Sequence, residues 1–272
     1  MRPTVIDRPE TILILGCGYT GCRVAGILAA AGHRVIATNR SGRTPAPGVE
    51  VHRLELPGPI DFSRVPDRVR VLHSIPTVES TEYTHSLLAA LGRLPARLVY
   101  LSTTGVYGAV RDVDEHTAPH PQSVREQLRV AAEQAVLAAP YPTLILRPAA
   151  IYGPGRGIHV SMRTGKFRLA GQGANFVSRI HVDDLAAISA AALVSEATGA
   201  YPVADEHPCT SLEIAGYCAE LLRTPMPVST RTESLHETRR ADRRVDGRAI
   251  CRLLGVSLRY PSYREGIPAS RE

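Results

Sequence analysis

Tryptophan is absent from this 272-residue chain, and phenylalanine and methionine occur only three times each. Lysine is almost absent too: Lys166 is the single lysine among 32 basic residues, set against 26 acidic ones. The formal charge of +6 is thus carried by arginine. It has no long basic run behind it. The densest stretch, Arg239-Arg240-Ala241-Asp242-Arg243-Arg244, is short, broken by an acid and free of interleaved aromatics. That pattern fits a solvated helix face or an internal ion-pair patch, not a nucleic-acid stripe. No apolar run nears the roughly 18 residues that span a bilayer. The N-terminal ten residues have no signal-peptide apolar core. Five cysteines (Cys17, Cys22, Cys209, Cys218, Cys251) form no C-x-x-C pair. They read as reduced, mostly buried thiols of a cytoplasmic protein. No G-x-S-x-G elbow occurs, which argues against a serine hydrolase. The Asp112-x-Asp114-Glu115-His116 cluster lacks metal-ligand spacing and reads as an exposed acidic loop, so no metal is expected.

What is present begins at Ile12-Leu13-Ile14-Leu15, a short continuous apolar run of the kind that forms a buried parallel strand. Gly16-Cys17-Gly18-Tyr19-Thr20-Gly21 follows at once, then an alanine-rich helical stretch from Cys22 to Ala31, then a strand from Val35. Strand, glycine turn, helix and strand are the setting in which G-x-G-x-x-G has physical content. Gly16 permits a sharp turn, Gly18 lets backbone approach a pyrophosphate, and Gly21 lets helix pack on strand. The helix start then offers N–H groups to the phosphates, with Tyr19 and Thr20 in the same turn. About 20 residues on, an NAD site places an acid against the ribose 2′-hydroxyl. Here that place reads Thr38-Asn39-Arg40-Ser41. An arginine fork suits a 2′-phosphate, so the pattern leans to NADP, with NAD as the alternative.

Alternation continues with strands expected at 49–56, 69–75, 97–102 and 143–146. Helices are expected at 84–91 and 122–139. Such alternation means right-handed crossovers and a doubly wound parallel sheet. Further helices are expected at 185–194 and at 212–222, the last with Ser211 as N-cap. At 181–184, Asp183 reads as a cap and the Asp183-Asp184 pair as a complement to the helix dipole.

Four later segments resemble, in order, signatures of the extended short-chain dehydrogenases/reductases, relatives of nucleotide-sugar epimerases and dehydratases. They are Leu98-Val99-Tyr100-Leu101-Ser102-Thr103-Thr104-Gly105-Val106-Tyr107-Gly108, Leu146-Arg147-Pro148 through Tyr152-Gly153-Pro154-Gly155, Arg179-Ile180-His181-Val182-Asp183-Asp184-Leu185-Ala186, and Tyr260-Pro261 through Gly266-Ile267. The resemblance implies a Rossmann-type α/β fold, a doubly wound parallel sheet with a small, mainly C-terminal substrate subdomain. The dinucleotide domain would comprise 10–151 plus 181–198, and the substrate lobe 152–180 plus 199–265. It also implies that the Thr103 hydroxyl meets the reacting substrate oxygen, with Ser102 before it among the cofactor-binding residues. Glu55 and Leu56 would approach the adenine, and Ser74, Ile75 and Pro76 would lie against the cofactor. A small-molecule substrate and a homodimer are implied, without nucleic acid or membrane.

The resemblance stops at one place. The family carries Y-x-x-x-K on the helix after the V-Y-G loop, with the phenol as acid/base and the lysine lowering its pKa and holding the ribose. In this chain Arg125 stands in the tyrosine place and Arg129 in the lysine place. Arg129 can still reach ribose hydroxyls as a fixed cation. Arg125 cannot give up a proton near neutrality. Tyr107 and Tyr152 read as packing residues rather than acids. The chain thus reads as an atypical member: an oxidoreductase or epimerase-like enzyme with a displaced or missing acid, or a non-catalytic NADP-binding redox sensor.

Overall fold

The computed structural model describes residues 9–77, 80–231 and 241–270. Seven strands form one parallel sheet: β1 (Thr11–Leu15), β2 (Arg34–Asn39), β3 (Val49–Arg53), β4 (Val69–His73), β5 (Pro95–Leu101), β6 (Thr143–Pro148) and β7 (Gly199–Val203), in the order β7-β6-β5-β4-β1-β2-β3. Helices α1 (Gly21–Ala30), α5 (Val182–Leu193) and α7 (Arg248–Leu254) cover one face. Helices α2 (Glu82–Leu91) and α3 (Val124–Leu137) cover the other. The continuous apolar strands have the reason expected of them. Ile12 and Ile14 pack toward α1 and α5, while Leu13 and Leu15 pack toward α2 and α3, all fully buried.

A smaller lobe has its own core. Helix α4 (Ile158–Arg163), α6 (Ser211–Leu222) and α8 (Tyr263–Ala269) gather Ile158, Met162, Leu169, Ile214, Tyr263 and Ile267 around Tyr152. The chain enters it twice and returns. One return differs from expectation: Gly199–Val203 is assigned by sequence to the small lobe but forms the edge strand β7, paired with β6. Helix α7, also expected in that lobe, packs on α5 through Ile250 and Leu254. Five residues after an irregular stretch carry too little periodicity to mark a sheet strand; the partner that makes them one lies 55 residues earlier (199 − 144 at the paired Gly199 and Leu144).

Two helix caps also differ. The α6 cap is Thr210, whose hydroxyl accepts from Glu213 N at 3.1 Å, and Ser211 is the first helical residue. The α5 cap is His181, whose Nδ1 accepts from Asp183 N at 3.2 Å. Asp183 instead pairs with Arg23 of α1 at 2.9 Å. Asp184 turns inward and accepts from Arg259 N (2.7 Å) and Tyr260 N (3.0 Å), fastening the C-terminal segment to α5. Both caps sit one or two residues earlier than expected because an extended residue whose side chain bonds back fixes the start, and spacing alone does not locate it.

Candidate dinucleotide and substrate cleft

The sheet order reverses between β1 and β4, and the carboxyl ends of these strands open a crevice there, the usual ligand position in such sheets. A cleft of about 1980 Å³ occupies it. Each site residue expected from sequence lines this one cleft: Gly16, Gly18, Tyr19, Thr20 and Gly21 from the glycine turn, Asn39 and Arg40 after β2, Glu55 and Leu56 after β3. Ser74, Ile75 and Pro76 follow β4, Ser102 and Thr103 follow β5, and Arg129 rises from α3.

The three glycines differ in why they are glycine. Gly16 has φ +86°, and a Cβ there would meet Ile75 Cγ1 at 2.7 Å. A Cβ on Gly21 would meet the Gly16 carbonyl oxygen at 2.9 Å and Ile14 Cγ2 at 3.3 Å. The fold itself requires both. Around Gly18 nothing lies within 4 Å of the added Cβ. Packing within the fold does not account for that glycine. The turn is rigid behind it. Gly16 N donates to Thr38 Oγ1 (3.1 Å), Cys17 N to the Thr38 carbonyl (2.7 Å), and Ser74 Oγ to the Gly16 carbonyl (2.6 Å). The first turn of α1 carries no acidic side chain and no side-chain cap, so its positive end faces the cleft uncompensated.

After β2, Asn39 is occupied in its own turn. Its Oδ1 accepts from Gly42 N at 2.6 Å and its Nδ2 donates to the Arg43 carbonyl at 2.8 Å. Arg40 and Arg43 stand at the mouth of the cleft, and Glu55 pairs with Arg53 at 2.8 Å. Sequence reasoning did not single out Arg43; only the closed Asn39–Arg43 turn brings it beside Arg40.

Beneath the middle of the cleft, Arg129 is buried with its Nε unpartnered among the described residues. Burial lowers its pKa, and Tyr100 beside it opposes that shift. His73, its ring tilted against Tyr100 with centroids 4.9 Å apart, is held down to about 4 by burial and by the Arg129 charge, so its imidazole is neutral at pH 7. Ser102 Oγ is likewise buried and unpartnered. Thr103 caps a short 3-10 turn, its Oγ1 accepting from Gly105 N at 3.1 Å, which leaves the hydroxyl proton for a cleft acceptor. Arg125, one turn before Arg129 on α3, also lines the cleft.

Neither tyrosine weighed from the sequence reaches the cleft. Tyr107 is fully buried and its hydroxyl accepts from Arg147 Nη1 at 3.1 Å, while Arg147 forks onto Glu133 of α3 at 2.7–3.2 Å. The Tyr152 hydroxyl donates to the Ser262 carbonyl at 3.2 Å. Both are packing residues, as the sequence indicates. The phenols that do line the cleft are Tyr19, whose hydroxyl donates to the Pro154 carbonyl at 2.9 Å, and Tyr83 of α2. No local pattern marks Tyr83.

The far end of the cleft is made by Arg111, Arg156, Phe176, Ala241, Asp242 and Arg243. Of the arginine-rich stretch, Arg243 is buried and donates to the carbonyls of Thr104, Gly108 and Val110; Arg244 lies over the Phe176 ring at 3.7 Å. Arg111 pairs with Asp242 at 2.9 Å. These are internal bonds and ion pairs, one of the two readings the composition allowed. Arg239 and Arg240 lie outside the described residues. No helix among the described residues is long and apolar enough to cross a membrane.

This sheet, with a crevice at the reversal of strand order, defines a Rossmann-type α/β fold. The chain matches the NAD dependent epimerase/dehydratase family over residues 12–204 and belongs to it. A protein of unknown function from Silicibacter pomeroyi is 33% identical, with a TM-score of 0.81 over 96% of this chain and 98% of that one. MoeE5 in complex with UDP-glucose and NAD is 21% identical, with a TM-score of 0.78 over 96% of this chain and 97% of that one. That likeness establishes shared fold. A 3-diazoavenalumate denitrifying reductase from a Streptomyces species is 34% identical over 101 residues, about a third of each chain.

Proposed function

We propose that the chain is a nicotinamide-dinucleotide-dependent oxidoreductase acting on a small molecule, with the dinucleotide held along the glycine turn. The observation that carries this is Gly18, the one glycine of the three whose missing side chain the protein does not itself require. Gly18 and the α1 N-terminus would meet the pyrophosphate, Arg40 a 2′-phosphate, and Arg129 the ribose hydroxyls nearest the reacting end. The bound nicotinamide would supply or accept a hydride. The Ser102 and Thr103 hydroxyls would orient the substrate oxygen, and the cationic Arg125 and Arg129 would stabilise negative charge developing there. With Arg125 unable to release a proton, the proton would come from water, from substrate or from another cleft side chain. MoeE5, with UDP-glucose and NAD, and the Streptomyces reductase suggest a nucleotide sugar or a related metabolite as substrate classes to test.

A second reading, a non-catalytic NADP-binding redox sensor, is favoured by the burial of Tyr107 and Tyr152 and by the arginines at positions 125 and 129. Dinucleotide binding is measured first, by titration calorimetry with NADPH and NADH. Loss of absorbance at 340 nm on adding nucleotide sugars or small carbonyl compounds then supports the enzyme. Tight binding without turnover, with different affinities for reduced and oxidised forms, supports the sensor. Absence of any dinucleotide binding removes both.

A further inference from the structure

Two of the five cysteines stand on the glycine turn itself. Cys17 Sγ lies 3.7 Å from Cys22 Sγ, and the Cys22 thiol also donates to the Cys17 carbonyl at 3.4 Å. Both side chains line the cleft. Cys17 is buried against the apolar layer under α1, and Cys22, in the first turn of that helix, is the more open of the two. Among the described residues no other two sulfurs come within hydrogen-bonding range: Cys209 and Cys218 are fully buried, with Cys209 Sγ accepting from Arg179, and Cys251 sits on α7.

We infer that Cys17 and Cys22 are a reversible modification site, joined as a disulfide by exchange with a small-molecule disulfide, and that closing this bond weakens dinucleotide binding. The inference rests on the dinucleotide reading of the cleft. The chemistry balances without a further reactant. The Cys22 thiolate attacks one sulfur of the small disulfide, that S–S bond breaks, and the departing thiolate takes up a proton. Cys17 then loses its proton and attacks Cys22 Sγ, and the second small thiol leaves. Two protein thiols are oxidised and one small disulfide is reduced to two thiols. The order follows from access, Cys22 being the more open of the two. Burial, and then Cys22 beside it, push the Cys17 thiol up to about 12, which suits Cys17 to the second, intramolecular step.

The effect on binding follows from what in the turn can yield. A disulfide needs its sulfurs at about 2.05 Å, so the pair must close by well over an ångström. The intervening residues are Gly18 to Gly21. Gly16, just before the pair, is anchored by its N–H on Thr38 Oγ1 and by its carbonyl under Ser74 Oγ. Gly18 lies between the two cysteines, its N–H donating to the Gly16 carbonyl at 2.8 Å and its carbonyl accepting from Cys22 N at 2.9 Å. Backbone movement that closes the pair is therefore passed through these bonds to Gly18, the residue proposed to meet the pyrophosphate. Linkage makes the effect reciprocal: bound dinucleotide must oppose the disulfide by the factor by which the disulfide opposes dinucleotide.

The test equilibrates the full chain in buffers of reduced and oxidised glutathione, quenches with an alkylating reagent, and maps the peptide ending at Arg23. NADPH and NADH affinities are measured on the same samples. Expected are joint loss of both alkylatable thiols in that peptide, about a tenfold fall in dinucleotide affinity on oxidation, and full recovery with dithiothreitol. Saturating dinucleotide should shift the thiol–disulfide midpoint by about 30 mV for that tenfold change. Cys22→Ser, or Cys17→Ser should the first not fold, should show equal affinity in both buffers, and Cys251→Ser should respond as the parent does. Thiols that stay separately alkylatable in oxidised glutathione overturn the proposal, and so does a mapped disulfide that leaves affinity unchanged. Reduced protein that binds no dinucleotide while the disulfide still forms would sink the cleft reading and this consequence with it. Binding without disulfide formation would sink this proposal alone.

Discussion

Gly18→Val and Gly16→Ala separate two meanings of one motif. The valine side chain at 18 enters open space, so the fold should keep its melting temperature while calorimetry loses the dinucleotide signal. Unchanged affinity in a folded Gly18→Val protein would remove the central claim. Alanine at 16 meets φ +86° and the Ile75 side chain at 2.7 Å, so it should lower stability by about 1–3 kcal/mol. Arg40 lends itself to a similar contrast. Arg40→Ala should weaken NADP by about 1.5 kcal/mol, near the lower end for bonds to a charged group because the side chain is exposed, and barely change NAD. Equal losses for both cofactors would refute a 2′-phosphate role. At this scale the sequence was most readable where one residue type serves one geometric need. Gly16 and Gly21 serve the turn and the packing that their motif indicates. Tyr83 and the Arg111–Asp242 pair were not readable, because only the folded chain brings them to the cleft.

Helix α3 is tied to the sheet by a buried charge pair. Glu133 takes the Arg147 fork from β6, and Arg147 also holds the Tyr107 hydroxyl. Removing one partner strands the other in a dry interior. Glu133→Ala should therefore cost about 3–5 kcal/mol in denaturant unfolding, while Glu133→Leu with Arg147→Met should recover most of it. If the double replacement is as unstable as the single one, the pair stabilises by more than mutual neutralisation. Because Arg129 rises from the same helix, the single variant should also disturb the cleft. Periodicity placed α3, and the structure ends it only a residue or two from the expected limits. It could not show that Glu133 faces Arg147, since that contact depends on which helix face meets which strand. The same reason hides β7 and the hold of Asp184 on Arg259 and Tyr260.

Across the whole molecule, three buried groups should shape stability against pH. Burial holds His73 and His181 down to about 4 from their ordinary 6.5. Both charge more readily in the unfolded chain, so the stability they lend above 6.5 is lost as pH falls toward 4. Burial pushes Asp205 up to about 8 from 3.8. Its contribution is complete below 3.8 and is lost as pH rises through 8. Two imidazoles outweigh one carboxyl on the acid side, and the carboxyl acts alone above 6.5. The melting temperature should therefore peak near pH 6.5 and decline both ways. Asp205→Asn, which keeps an acceptor for His207 N, should flatten the decline between 6.5 and 8. A parent profile already flat there would mean that Asp205 is ionised in the fold.

The cleft draws its two ends from separate stretches of chain. The glycine turn and the loops after β2, β3 and β4 all precede residue 77, whereas Arg156, Phe176 and Arg243 come from later returns through the small lobe. Inheritance can thus act on them separately. Drift, or a deliberate graft, confined to 153–178 and 241–245 leaves the supports that Thr38 and Ser74 give the glycine turn untouched, and reaches the turn through the Tyr19–Pro154 bond. A lineage carrying this scaffold is free to change what the far end of the cleft meets without rebuilding the strand, turn and helix at its other end.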